Sequence, residues 1–170
     1  MVLPGAPVAA SRAYAGFWLR FGAYIVDSLL VGVVMLIIFA IVIGFIGFGT
    51  IRDQFEEFGR TANQPNPVFP VFIIFLYFTV LACGLVLGWL YYAGMESSEH
   101  QGTLGKMALG LVVTDINGQR LSFGRASGRF FARIITSFVP LGIGFIMAGF
   151  TEKKQALHDM IASCLVLRKI

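Results

Sequence analysis

The residue best suited to chemistry is Asp27, a carboxylate inside an otherwise apolar stretch. Arg20 lies seven positions before it and Tyr24 lies between them, so a helix places all three side chains on one face. The rise from Arg20 to Asp27 is about 10 Å, too long for an easy direct ion pair, so each charge is expected to have another partner. An ionisable residue inside a membrane indicates a functional site. The alternative is that Asp27 only marks the inner boundary of a span beginning at Ser28.

A second group of charges comprises Arg125, Arg129 and Arg133, spaced four residues apart. This spacing predicts one helix face carrying all three guanidinium groups. Because an arginine at the bilayer centre costs at least ~2.5–3.5 kcal/mol, we expect the stripe at the headgroup level with its side chains snorkelling. Two interpretations remain open here: an interfacial amphipathic helix, or a re-entrant hairpin broken at Pro140.

The pair His158-Asp159 lies in a short helix predicted over residues 151–162, with Thr151 as its N-cap. The other histidine, His100, is remote in sequence, so we predict no metal site. The segment Gly102–Lys106 lacks the spacing of a phosphate-binding loop. No pattern of nucleophile, base and carboxylate emerges. The expectation is therefore a chain that is not an enzyme and holds no cofactor.

Composition places the chain in lipid. Its 170 residues are 57% hydrophobic and 13% charged, whereas soluble domains are about half apolar and about a quarter charged. These values exclude three classes for the chain as a whole: a soluble enzyme, a secreted disulfide scaffold and a disordered tail. Cys83 and Cys164 form no disulfide framework or zinc spacing. Basic residues are not interleaved with aromatic ones in a block, so no nucleic-acid partner is expected.

Two long apolar runs predict an all-α membrane protein with two full transmembrane helices. Residues 28–48 are uncharged, enough to cross a hydrocarbon core about 30 Å thick. We expect spans at about residues 17–48 and 68–93, after a flexible tail at 1–15. A third apolar segment, 126–150, is interrupted at Pro140 and is predicted to be broken, re-entrant or interfacial.

A small cytoplasmic β-hairpin is predicted over residues 109–123. Asn117-Gly118 is the favoured two-residue hairpin turn, and counting outward from it pairs Asp115 with Arg120. A further strand is expected at Cys164–Leu167, after the C-terminal helix, so that the region 151–168 comprises one helix and one strand.

The distribution of basic residues predicts the topology. The loop 49–67 has two basic and three acidic residues, whereas 94–133 has five basic residues. Because cytoplasmic loops carry the excess of Lys and Arg, both termini are expected in the cytoplasm and the loop 49–67 outside. A three-span topology, which would place the basic C-terminal tail outside, remains the alternative.

Several motifs together resemble the RDD family of small membrane proteins, over about residues 14–168. The segments that carry the resemblance are Arg20 with Asp27, Gln101-Gly-Thr-Leu-Gly-Lys106, Leu109-Gly-Leu-Val-Val113, Leu121-Ser-Phe-Gly-Arg-Ala126 and Gln155-x-Leu-His-Asp159. The family is named for one arginine and two aspartates, which match Arg20, Asp27 and Asp159. The resemblance implies a bacterial-type integral protein of the cytoplasmic (inner) membrane and one domain over 16–168. It also implies a transport-related role, since ligand transport is proposed and cation–proton exchange reported for some members.

Two functions therefore compete. In the transport hypothesis Asp27 responds to a proton or cation, and the chain works as a homo-oligomer. In the alternative the chain is an accessory or assembly subunit of a larger membrane complex. Arg20 and Asp159 are expected to meet at the cytoplasmic edge, with Asp27 held by Arg20, by the arginine stripe, or by backbone and hydroxyl donors. In both hypotheses the partners include the bilayer and its anionic headgroups, with Tyr24 and His158 as supporting residues.

Overall fold

The computed structural model describes residues 13–60 and 68–169. These residues form mainly helices and a two-stranded sheet, in two compact units. Unit 1 contains the chain up to Leu29 and from Gly88 onward, and unit 2 contains Leu30–Leu87. In chain order the elements are α1 (Phe17–Arg60), α2 (Val68–Ser97), α3 (Leu104–Ala108), β1 (Leu111–Asp115), α4 (Phe123–Ser137), α5 (Ile143–Ile146), α6 (Leu157–Ile161) and β2 (Cys164–Arg168).

Unit 2 consists of the later part of α1 and the earlier part of α2. Within the described residues, two helical segments are long and apolar enough to cross a membrane: Phe17–Ile41 and Ile73–Ser97. The large apolar side chains of these segments are mostly exposed. Such exposure is the pattern of lipid-facing helices, whose surroundings are as apolar as their side chains.

The helix α1 extends well beyond the predicted end of the first span. Residues 49–60, expected as part of a polar loop, are helical. Arg52 Nε donates to Glu56 Oε1 at 2.9 Å, and Arg60 lies 3.6 Å from the same carboxylate. Pairs four residues apart stabilise a helix by about 0.3–0.5 kcal/mol each when exposed. These pairs therefore stabilise the polar extension of α1. The remaining residues of the predicted loop, 61–67, lie outside the described part.

The sheet of unit 1 corrects the predicted hairpin. β1 pairs antiparallel with β2, with Val113 opposite Val166 and Asp115 opposite Cys164. A hairpin with Gln119–Phe123 as the returning strand is therefore wrong, although the strand expected near Cys164 is confirmed. The chain does turn after β1, where Gly118 N donates to Asp115 O at 3.1 Å. Its central residues are Ile116 and Asn117, and of the turn residues only Gly118 has a positive φ, of 80°, so it is not the predicted two-residue turn centred on Asn117-Gly118.

The sheet packs on both faces. Leu111, Val113, Cys164 and Val166 lie in one buried cluster with Leu121. Val112, Leu165 and Leu167 form a second cluster against Tyr14. The chain at 13–15 also runs along β2: Tyr14 bridges Leu167, and Ala15 N donates to Val166 O at 2.9 Å. Residues 13–15 of the predicted tail therefore pack on the sheet, and residues 1–12 of that tail lie outside the described part.

The third apolar segment is broken, as its sequence predicts. Ser122 caps α4 by accepting from Arg125 N at 3.3 Å. After α4 the chain forms a 3₁₀ turn at Pro140–Gly142, the short helix α5 and a second 3₁₀ turn at Met147–Gly149. Pro140 disfavours helical geometry in the preceding residue, and Leu141 and Gly142 both have positive φ. No continuous spanning helix therefore forms over the described residues 126–150.

The C-terminal helix is shorter than predicted. α6 begins at Leu157, not near Thr151. The Thr151 hydroxyl instead accepts from Gln155 N at 2.7 Å and closes a loop. The N-cap of α6 is Ala156, and Asp159 in the first turn accepts from Ala156 N through Oδ2 at 3.1 Å. One of the three residues singled out from the sequence thus also stabilises the start of this helix.

Candidate functional site: a buried ion network and an adjoining cavity

Asp159 is the centre of a buried set of charges in unit 1. Its side chain is fully buried on α6 and accepts from two arginines that are distant in sequence. Arg20 of α1 donates through Nη1 to Oδ2. Arg129 of α4 donates to Oδ1 through Nε at 2.9 Å and Nη2 at 2.7 Å. One carboxylate therefore ties three helices together.

A second carboxylate, Glu96 at the end of α2, continues this set. Its Oε1 accepts from Arg129 Nη1 at 2.5 Å and from the Lys106 ammonium on α3. We call Arg20, Glu96, Lys106, Arg129 and Asp159 the ion network. Three cations face two carboxylates within it, which leaves one net positive charge. Removing one partner of such a buried pair costs about 3–5 kcal/mol because the other charge is left uncompensated.

The pKa values outside the apolar spans follow from burial opposed by these charges. Burial alone would raise the pKa of Asp159, but Arg129 and Arg20 hold it far below its usual range. Burial would lower the pKa of Arg129, and the two carboxylates instead raise it. For Lys106 burial prevails, and its pKa falls to about 8 despite the attraction of Glu96. The carboxylate of Asp159 and the guanidinium of Arg129 therefore stay charged at neutral pH.

Arg20 also donates hydrogen bonds to two backbone carbonyl groups that are distant from each other in sequence. Its Nε donates to Ala15 O at 2.8 Å, and its Nη2 donates to Lys154 O at 2.5 Å. The planar fork of arginine suits this, since its donors point in fixed directions. Arg20 thus joins the segment before α1 to the segment before α6, as well as to Asp159.

Asp27 lies apart from the ion network and is held by neutral donors. Its Oδ1 accepts from Tyr91 Oη at 2.8 Å and from Gly105 N at 2.7 Å. Its Oδ2 accepts from the Thr103 hydroxyl at 2.5 Å. Asp27 is 1% exposed. Of the three expected kinds of partner, backbone and hydroxyl donors are the ones present, and the two ions Arg20 and Asp27 do not pair.

Gly105 makes this contact possible by having no side chain. A Cβ at Gly105 would lie 2.2 Å from Ala23 O and 2.9 Å from the carboxylate carbon of Asp27. The segment 101–106 thus approaches α1 at a point where only glycine fits. This is a physical reason for the second glycine of the Gln101–Lys106 motif.

The three arginines of the α4 stripe have three different environments. Arg125 is exposed and its Nη1 lies 3.4 Å from Asp115 Oδ2. Arg129 is buried in the ion network, so the expectation that it snorkels to headgroups is wrong. Arg133 is half-buried, with its guanidinium carbon 4.9 Å from the ring centres of both Tyr24 and Tyr92. Such cation–π contacts are worth about 0.5–2 kcal/mol.

His158 is buried beside the network. Its Nε2 lies 3.4 Å from Asp159 Oδ1, and its ring centre lies 5.5 Å from that of Phe145. Burial lowers the pKa of His158 to about 3, and Asp159 only partly opposes this. Its Nδ1 is buried with no hydrogen-bond partner among the described residues. The imidazole is therefore neutral at physiological pH, and the described residues leave one of its nitrogens without a hydrogen-bond partner.

A cavity of about 460 Å³ adjoins these residues within unit 1. Four basic residues line it, Arg20, Lys106, Arg129 and Arg133, together with Asp27 and His158. The rest of the lining is largely apolar and comes mostly from α1, α4 and the segment 145–148, with Tyr92, Ala156 and Val166. Small-molecule sites have volumes of about 300–1,000 Å³ and combine apolar walls with a few polar groups. The cavity therefore has the size and lining of a ligand site.

The structure brings together most of the residues that the sequence pointed to. Arg20 meets Asp159, His158 lies beside them, and Tyr24 meets Arg133. Glu96, Lys106, Tyr91 and Thr103 were not recognised as site residues. Lys106 and Thr103 belong to the quoted Gln101–Lys106 motif, and Glu96 is the first charge after a long apolar run. Within residues 13–60 and 68–169, His, Cys, Asp and Glu do not gather in threes suited to a metal ion.

The fold and the charges define a class: a small, mostly helical protein of membrane type, with two apolar helices and a charged core in one unit. The chain belongs to the RDD family, whose model matches residues 14–163.

Two Bacillus subtilis (strain 168) proteins are similar along most of the chain. The uncharacterized protein YxaI is 36% identical over 161 residues, which cover 91% of this chain and 97% of YxaI. The uncharacterized membrane protein YteJ is 24% identical over 162 residues, which cover 94% of this chain and 84% of YteJ. No solved structure gives a significant match.

Proposed function

We propose that this chain is a transport-related membrane protein, not an enzyme, that takes a small ligand into the cavity of unit 1. The observation that carries the proposal is the charge around that cavity. Its four basic side chains exceed Asp27 and the network carboxylates Glu96 and Asp159 by one positive charge, and Arg133 is the basic residue that forms no ion pair with them. A positive, partly apolar pocket attracts an anion and repels a cation. Of the two substrate classes, small ligand or cation, the geometry therefore favours an anionic ligand.

The ion network has a structural role in this proposal. Asp159 and Glu96 are both paired with arginine or lysine, and Asp27 is satisfied by three neutral donors. Carboxylate oxygens that already have such partners are poorly placed to take up a metal cation in each cycle, and Arg129 and Arg20 hold the pKa of Asp159 far below its usual range. The triad Arg20, Asp27 and Asp159 thus shapes the cavity and holds its walls.

The test is flux through the purified protein in liposomes, with labelled phosphate and dodecyl phosphate as anions and Na⁺–proton exchange as the cation assay. We expect at least one anion to move faster than in protein-free liposomes. The variant Ile134→Trp, which fills the cavity with an indole, should abolish that movement. Cation exchange alone, or anion movement unaffected by Ile134→Trp, would contradict the proposal.

A second candidate function, an accessory subunit of a membrane complex, is favoured by the sequence of unit 2. Residues 30–51 and 68–87 contain no Asp, Glu, Lys, Arg or His. One copy therefore has no charged path along these segments, and transport requires a homo-oligomer or a partner. Absence of flux for every probe, together with a stoichiometric membrane partner after gentle solubilisation, would establish this second function.

For the setting of either function, we infer the bacterial cytoplasmic membrane, with both termini in the cytoplasm. The support is the excess of basic residues in 94–133 over the stretch 49–67. Anionic headgroups are the proposed contacts of exposed basic residues such as Arg125 and Lys153, which do not line the cavity.

A further inference from the structure

The cavity of unit 1 is lined by both apolar and charged side chains. Its apolar lining includes Phe17, Phe21, Phe130, Ile134, Phe145 and Ala148, and its polar lining includes Arg133 and His158. A site with this mixed lining suits a molecule that itself carries a charged head and an apolar tail.

Arg133 is the basic residue of the lining that is best placed to take a ligand's charge. Arg20, Lys106 and Arg129 each contact a carboxylate of the ion network. Arg133 lies between the rings of Tyr24 and Tyr92 and, within the described part of the chain, no carboxylate lies at ion-pair distance from it. Two aromatic faces hold the guanidinium in place without neutralising its charge. Arginine in this state is suited to bind a carboxylate or phosphate head.

His158 supplies a second, independent observation. Its side chain is 8% exposed and lines the same cavity. Buried polar atoms nearly always have a hydrogen-bond partner, yet His158 Nδ1 has none among the described residues. Either tautomer of the neutral ring leaves Nδ1 able to form one hydrogen bond. A ligand head with both oxygen acceptors and a hydroxyl would satisfy it.

We infer that the cavity binds a single-chain anionic amphiphile, with its phosphate head at Arg133 and His158 and its tail along the phenylalanine walls. This inference deepens the proposed function, on which it rests, by giving the class of ligand. A volume of about 460 Å³ accommodates a head and one chain, whereas a bilayer phospholipid with two chains is too large to be enclosed.

The experiment is equilibrium binding of dodecyl phosphate to the full chain in phosphatidylcholine nanodiscs, with empty nanodiscs subtracted. Arg133→Met removes the charge and keeps an apolar stem, and should weaken binding by about tenfold or more. Arg125→Met is the matched control, since Arg125 lies on the same helix face but outside the cavity, and should leave the affinity unchanged. Ile134→Trp should abolish binding without changing any charge, so the inference stays testable if Arg133→Met fails to fold.

Competition identifies the source of the anion. Dodecanol should bind far more weakly than dodecyl phosphate, and inorganic phosphate or added phosphatidylglycerol should not displace it. Equal weakening by Arg133→Met and Arg125→Met would overturn the inference, because it would indicate attraction to the surface alone. Displacement by inorganic phosphate, displacement by phosphatidylglycerol, or equal binding of dodecanol would overturn it as well.

Failure of this inference can be told apart from failure of the proposed function. Flux of phosphate without binding of dodecyl phosphate would keep the transport role and reject the amphiphile. Binding of dodecyl phosphate with the expected variant pattern, but without flux of any probe, would keep the amphiphile site and reject transport.

Discussion

At the residue scale, Gly105 is the position where one added methyl group does most damage. A Cβ there would collide with Ala23 O at 2.2 Å and with the carboxylate of Asp27. We expect Gly105→Ala to lower the free energy of unfolding by about 1–3 kcal/mol, the usual cost of overpacking. Unfolding of the purified protein in mixed detergent micelles measures it.

Gly128 provides the control for this substitution. It lies in α4, and a Cβ there would meet nothing within 4 Å. Because glycine in a helix is less favourable than alanine by about 0.5–1 kcal/mol, Gly128→Ala should stabilise the protein slightly or leave it unchanged. Equal effects of the two substitutions would contradict the close approach of residue 105 to α1.

Because His158 is buried, we expect the protein to lose stability in acid at pH values above those at which carboxylates become protonated. Burial lowers its pKa from 6.5 to about 3, among the charges of Asp159, Arg129, Arg133 and Lys106. Between these two values the unfolded chain binds more protons than the folded one, so stability falls as the pH falls below about 6.5, by at most about 1.4 kcal/mol per pH unit. The pH dependence of unfolding measures it.

The variant His158→Gln isolates this contribution. It should lose most of the decline in stability between pH 6.5 and 4.5. The contribution of Asp159, whose pKa is lowered, should remain and be lost only below its ordinary value of 3.8. An unchanged decline in the variant would show that His158 is not the group responsible.

The sequence predicted some of these residues and missed others for a physical reason. The contact of Arg20 with Asp159 was predicted because a resemblance marked both residues and arginine pairs well with carboxylate. Glu96 was missed because its partners, Lys106 and Arg129, lie in other elements, and no local spacing reveals a pair that only folding brings together. Asp27 was singled out, but its three neutral donors could not be chosen from among the possible partners.

At the element scale, the register of β1 and β2 is open to a direct chemical test. Asp115 lies opposite the native Cys164, and directly opposite antiparallel residues have Cβ atoms about 4.5–5.5 Å apart. In a Cys83→Ser background, we expect Asp115→Cys to form a disulfide with Cys164 under a copper–phenanthroline oxidant. Burial raises the pKa of Cys164 to about 11, so the reaction is followed over hours by peptide mass spectrometry.

The control tests the register that the hairpin would have required. With Cys83 and Cys164 both replaced, Asp115→Cys with Arg120→Cys should not crosslink in the folded protein. Rapid crosslinking of that pair, without crosslinking of Asp115→Cys to Cys164, would show that β1 pairs with residues 119–123 and not with β2.

The hairpin prediction was wrong because turn residues determine where the chain turns but not which strand pairs with β1. Asn117-Gly118 does mark a turn, and Asp115 Oδ1 accepts from the backbone of Asn117 and Gln119 at 2.9 Å and 2.8 Å. The segment after it has few apolar residues besides Leu121, whereas Cys164–Leu167 is wholly apolar and buried. Burial therefore selected the distant strand. The break at Pro140 was predicted because proline acts on the backbone beside it.

At the scale of the whole molecule, the orientation in the membrane remains a prediction from charge. Basic residues outnumber acidic ones in 94–133 and not in 49–67, which predicts that the latter stretch faces outward. With the native cysteines replaced, a cysteine at Gln64 should react with an impermeant maleimide added to intact cells. A cysteine at Lys154 should react only after permeabilisation, and its labelling in intact cells would establish the three-span alternative.

Arg20 and Asp159, two of the three charged residues of the family motif, form a buried structural pair in unit 1. The most direct test is a double-mutant cycle of Arg20→Met and Asp159→Asn, with unfolding free energies measured in mixed micelles. Each single change should cost about 3–5 kcal/mol, and the double change should cost less than the sum by about 1–3 kcal/mol. Arg125→Met, which breaks an exposed pair, should cost at most ~1 kcal/mol. Single effects as small as that control, and additive in the double variant, would contradict the claim.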